Sequence, residues 1–99
     1  MAQLTTNPAQ TARRIQRLAR SLHLPLRDLA PLFGVSYQSI KWWSSGRHAP
    51  SLKHQRVLEV LERRNIARIL ELEALDDGDL AAYYQSLLSH QKEQEVPLR

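Results

Sequence analysis

The stretch FGVSYQSIKWWSSG, Phe33 to Gly46, sets two tryptophans side by side. Successive residues of an α-helix are turned by about 100°, so adjacent rings cannot share a face. With Tyr37 at zero, Ile40 falls near ~300° and Trp43 near ~240°, while Lys41, Ser45, Gln38 and Trp42 spread with Tyr37 from ~0° to ~140°. The spacing therefore predicts a short helix from Tyr37 to about Ser45, N-capped by Ser36 and closed by Gly46. Ile40 and Trp43 should pack inward on Leu29, Phe33 and Val35. Trp42 should point outward beside Tyr37, Gln38 and Lys41. A merely solvated face would be rich in Glu and Lys. This one displays Tyr and Trp, as a surface that meets another macromolecule does.

Outward from this helix the chain reads as nearly all α. No period-2 run, hairpin signal, internal repeat or low-complexity segment interrupts the helical patterning. Upstream, PLRDLAPLFG predicts a short second helix that starts near Pro25 and ends at Gly34, with Pro31 liable to kink it. Before it, Asn7 and Pro8 start a first helix as N-cap and first helical residue. Ala12, Ile15, Leu18, Ala19 and Leu22 form its apolar face. Arg13, Arg17 and Arg20 form another stripe, either a solvated side or a phosphate-facing ridge. Downstream, GRHAPS is a loop, and Ser51 can cap a helix from Leu52. The segment to Leu75 is helix-compatible, as one helix or as two broken near Asn65. DDG is a turn, Asp79 can cap a last helix, and Val96 to Arg99 should fray.

A short helix, a glycine turn and a Ser-capped second helix resemble a helix-turn-helix, whose second helix enters the major groove of DNA. Residues LRDLAPLFGVSYQSIKWWSSGRHAPS resemble the phage-repressor and Cro-type, or lambda-repressor-like, helix-turn-helix family. Leu29-Ala30, Gly34-Val35-Ser36, Ile40, Trp43, Gly46 and Pro50-Ser51 fall at the family's spacings, and the likeness covers roughly residues 10 to 62. It implies an all-α fold of five to six helices. Residues 1–62 would be the DNA-binding domain and residues 63–99 a helical extension for dimerisation. It also implies that Tyr37, Gln38, Ser39, Lys41 and Trp42 read bases or touch the backbone. Ser45, Arg47 and His48 match the phosphate-contacting turn, with Ser36, Lys53, Arg27 and Arg17 as further phosphate contacts. Two departures stand out. Leu26 replaces a glutamine that caps onto phosphate in many members, so that contact is missing or passes to Arg27. Ala19 and Ser44 stand where many members carry an Arg–Glu pair between helices 1 and 3, so packing must substitute.

Composition agrees with a polyanion partner. Residues 1–56 hold nine Lys+Arg against one acid, Asp28, a balance of +8, and residues 57–99 hold five against nine, a balance of −4. The halves should face different partners, the basic one a nucleic acid. With no cysteine there is no disulfide. Met1 to Asn7 lacks the pattern of a secretory leader, and no run approaches the roughly 20 apolar residues of a membrane span. A cytoplasmic location is therefore expected. His23, His48, His54 and His90 have no metal-ligand spacing, so no metal is expected. No nucleotide-binding loop or nucleophile motif occurs, so neither an enzyme nor a cofactor is expected.

The acidic half is more aliphatic than one small core face needs. Ile66, Ile69, Leu70, Tyr83, Tyr84 and Leu87 either complete the monomer core or form a self-complementary dimer face, and operator symmetry favours the dimer. The expected protein is a sequence-specific double-stranded DNA-binding regulator, a repressor that could control its own promoter, of phage or other mobile-element type. It would bind an inverted-repeat operator as a homodimer. The alternative is an antitoxin whose acidic C-terminal half grips a basic protein partner.

Overall fold

Asn7 opens the first helix through its side chain: Oδ1 accepts the N–H groups of Ala9 and Gln10 at 2.9 and 3.2 Å. In a computed structural model, which describes residues 7–76, Gly78 and 80–95 with side chains as far as Ser89, this helix is α1, Pro8–Leu22. His23 ends it in the left-handed region, at φ 59°. A 3₁₀ turn, Leu26–Asp28, leads into α2, Leu29–Phe33. The expected second helix is thus two short pieces. Pro31 is the third residue of α2, where an N–H would have no partner inside that helix in any case.

Gly34 closes α2 at φ 71°, and Ser36 caps α3, Tyr37–Ser44, by accepting the Ser39 N–H. Ile40 and Trp43 point inward as expected, and the Trp43 ring meets Phe33 edge-on at 5.5 Å. The far end of α3 is held by α1, since Gln16 Nε2 donates to the Ser44 carbonyl at 2.7 Å. A side-chain hydrogen bond between these helices thus joins packing in the absence of an Arg–Glu pair there.

After the loop come α4, Leu52–Arg64, and α5, Ile66–Leu75. The break is at Asn65, whose φ of −119° leaves the helix and whose Nδ2 donates to the Leu61 carbonyl. Ser51 does not cap α4 through its side chain; its Oγ meets His54 Nδ1 at 3.0 Å instead. The last helix, α6, is Ala81–Glu95. The cap expected at Asp79 and the tail at 96–99 lie outside the described residues. Among the described residues the fold is all-α, with six α-helices and no strand. No helix there is long and apolar enough to cross a membrane.

One hydrophobic core runs across the boundary expected at residues 62/63. It joins Ile15 and Leu18 of α1 and Leu58 of α4 to Ile66 and Ile69 of α5 and Tyr84 and Leu87 of α6. This corrects the dimer set. Ile66, Ile69, Tyr84 and Leu87 are buried within one chain, and Leu70 and Tyr83 pack half-buried against the same cluster. The cause is that α5 lies on α1 and α6 on α4, so these helices close the core. Among the described residues of the C-terminal half, the exposed large apolar side chains are Val60 and Leu75.

Charges cross the same seam. Arg14 is buried and donates from Nε and Nη2 to the two Glu62 oxygens at 2.9 and 2.8 Å. The Tyr83 hydroxyl adds a third bond to Glu62 at 2.8 Å. Burial raises the Glu62 carboxyl above the ordinary carboxylate range, against the pull of Arg14 and Tyr83. Burial also works against the Arg14 cation, but the Glu62 hydrogen bond and charge outweigh it and hold the guanidinium above its ordinary value. All three bonds use Glu62 as acceptor, the arrangement of an ionised carboxylate.

Arg17 pairs with Glu73 at 2.7 Å and with Asp76, and Arg20 reaches Asp76 at 2.8 Å. Arg17 therefore leaves the phosphate-binding set: its side chain is buried between α1 and α5, and its charge is already matched. The hydrogen bonds from Arg17 and Arg20 hold the Asp76 carboxyl below its ordinary value. A carboxyl lowered in the folded state contributes stability that is complete above its unfolded value, near pH 4, and lost as pH falls through the folded value. Acid unfolding should thus include a component below about pH 4 that Asp76→Asn lacks. Denaturant midpoints measured from about pH 5 to about pH 2 check this, and parallel curves for the two proteins would refute it.

Candidate nucleic-acid interface

The outward face of α3 follows from the inward one. Burying Ile40 and Trp43 turns Tyr37, Gln38, Lys41 and Trp42 to solvent, and all four are exposed. The two tryptophans divide as their spacing requires: Trp43 is 6% exposed and Trp42 37%. Lys41 Nζ lies 5.6 Å above the Tyr37 ring, a cation–π pair that ties the two together. Ser39 differs from its neighbours. It is half-buried, and its Oγ faces that of Ser36 at 3.5 Å.

The turn after α3 is organised by one carbonyl. Trp42 O accepts the Ser45 hydroxyl at 3.1 Å, the Arg47 N–H at 2.9 Å and the His48 N–H at 3.4 Å. The His48 ring then stands edge-on to the Trp42 indole at 5.1 Å. Arg47 and His48 are exposed beside the helix that they follow. Ser36 and Ser45 are exposed too, but their hydroxyls already serve the cap and the turn. His54 is half-buried against Trp43.

Burial and pairing sort the cations. Arg27, Lys41, Arg47, Lys53 and Arg56 are exposed and pair with no carboxylate among the described residues. Arg27 lies in the 3₁₀ turn that packs on α3, and the others lie on α3, in its following loop and on the first turns of α4. Between Asp28 and Glu59 the chain has no acid. Arg56 was not singled out from sequence, although that acid-free interval contains it.

The described acids of the C-terminal half behave in the opposite way. Glu59, Glu62, Glu71, Glu73 and Asp76 each lie against an arginine of the same chain. Three of them, Glu62, Glu73 and Asp76, pair with arginines of α1, so part of the charge contrast between the halves is met inside the molecule. Among the described residues, no three potential metal ligands come together. A groove of about 280 Å³ lies between α1, α4 and α6, lined by Arg14, Arg56, Glu59 and Tyr83 among others. Its deepest cation, Arg14, is committed to Glu62. Compared with known proteins, the chain matches no family model, no curated protein and no solved structure.

Proposed function

We propose that the protein is a sequence-specific double-stranded DNA-binding regulator that places α3 in the major groove, as in a helix-turn-helix of the lambda-repressor-like kind. The observation that carries this reading is the exposed Tyr37, Gln38, Lys41 and Trp42 face, bordered by cations that pair with no carboxylate among the described residues, in a stretch from Leu29 to Leu58 without an acid. Gln38 offers a donor and an acceptor on one amide, which suits the adenine edge, and Lys41 can donate to guanine. Arg27, Arg47, His48 and Lys53 supply the sequence-independent, salt-dependent share of affinity. Arg56 joins them on the same grounds. Repression by occupying a promoter is the simplest action for such a reader. The antitoxin reading is less favoured, because Glu62, Glu73 and Asp76, among the acids it would offer a basic partner, face arginines of α1.

Selection of bound duplexes from a random pool at physiological salt tests the proposal. A shared motif is expected. Its repeat as an inverted pair centred about 10 bp apart would add the homodimer. Retention without any motif would leave only a charge-driven binder. On the selected site, Gln38→Ala should relax preference at one position by about 1–3 kcal/mol, whereas Arg47→Ala should weaken all sequences alike and flatten the salt slope. Affinities across a single-base substitution series separate the two effects. An unchanged preference in Gln38→Ala would sink that residue's role.

A further inference from the structure

The outward face of α3 is rich in donors and apolar surface and poor in acceptors. Lys41 and the Trp42 indole only donate, and Gln38 supplies the one side-chain amide. No carboxylate occurs from Leu29 to Leu58. Cytosine, which presents a donor in the major groove, finds few partners on such a surface. Thymine presents an acceptor, O4, and a methyl group.

Trp42 presents an exposed indole on this face, and the backbone that carries it is braced. Its own carbonyl anchors the following turn through Ser45, Arg47 and His48, and the His48 ring stands 5.1 Å from the indole. An indole has only two side-chain torsions, and on a backbone already held in place it loses little freedom on contact, so its contact area converts well into affinity. On the major-groove floor, the apolar group available to such a ring is the thymine C5-methyl.

Building on the DNA-binding reading above, we propose that Trp42 is a specificity-determining residue that reads thymine through its 5-methyl group. Each half-site then contains a thymine whose methyl packs on the indole.

Deoxyuridine tests this, because it removes the methyl and keeps the base-pairing edge. Each thymine of the selected duplex is replaced in turn. Affinities are measured by fluorescence anisotropy for the unmodified protein, Trp42→Ala and Trp42→Phe, with circular dichroism to verify that each variant is folded. One position per half-site should weaken binding by the unmodified protein about fourfold, the value of burying one methylene-sized group. Trp42→Ala should be indifferent at that position, and Trp42→Phe should keep part of the sensitivity. The assignment fails if no uracil position matters, if the selected motif lacks thymine, or if Trp42→Ala binds less tightly yet keeps the full uracil sensitivity. In those three cases the protein still reads DNA, and only the role of Trp42 is lost. A selection that returns no shared motif removes the DNA-reading function and this assignment together.

Discussion

Replacing Glu62 by alanine should lower the free energy of unfolding by about 3–5 kcal/mol, because it leaves the Arg14 cation buried without a counter-charge. Small domains are stable by only about 5–15 kcal/mol, so this variant should sit near the edge of folding. Two bonds from Arg14 and one from Tyr83 converge on that carboxylate, and the Arg14 guanidinium also lies 4.3 Å from the centre of the Tyr83 ring. The loss therefore strands a charge and a hydroxyl in one place. Removing all three polar groups together, as Arg14→Met, Glu62→Leu and Tyr83→Phe, should recover most of the stability, since none of the three positions then leaves a polar group without its partner. Urea denaturation of the single and triple variants measures both. A loss of under about 1 kcal/mol in Glu62→Ala would show that the pair is not the buried hinge of the fold.

The second large effect separates two neighbours. Trp43→Ala should cost about 3–5 kcal/mol, the usual range for truncating a large buried aromatic side chain. Trp43 lies between Phe33 and His54, with ring centres 5.5 and 5.3 Å away, so little can collapse into the space. Trp42→Ala, one residue earlier, should change stability by less than about 1 kcal/mol, the scale of exposed positions away from special features. Thermal unfolding of the two variants, side by side, gives the contrast directly. Comparable losses in both would mean that Trp42 is a structural residue, and its availability for a partner would go.

Helical periodicity carried a good deal of this molecule. It assigned the inward roles of Ile40 and Trp43, the outward roles of Tyr37, Gln38, Lys41 and Trp42, and the caps at Asn7 and Ser36. These are local properties, decided by 100° steps and by side chains that reach their own backbone. The same periodicity also held an unused signal. Arg14 precedes Leu18, Glu62 follows Leu58 and Glu73 follows Ile69, each four residues away and so within about 40° on an inward face. A charge at such a position is buried and needs a partner.

Which partner was not legible. Arg14 lies 48 residues from Glu62, and Arg17 lies 59 from Asp76. Their pairing exists because α5 and α6 fold back over α1 and α4, a choice made by packing between helices and not within them. That choice also turned the supposed dimer face into monomer core and absorbed acids that, in sequence, seemed free for another protein. The sequence by itself determined the all-α character and which face of α3 is presented. Only the tertiary structure decided which charges remain available to a partner. A side chain's direction on a helix is set by its neighbours in the chain, whereas its neutralisation depends on whatever the rest of the chain brings against it.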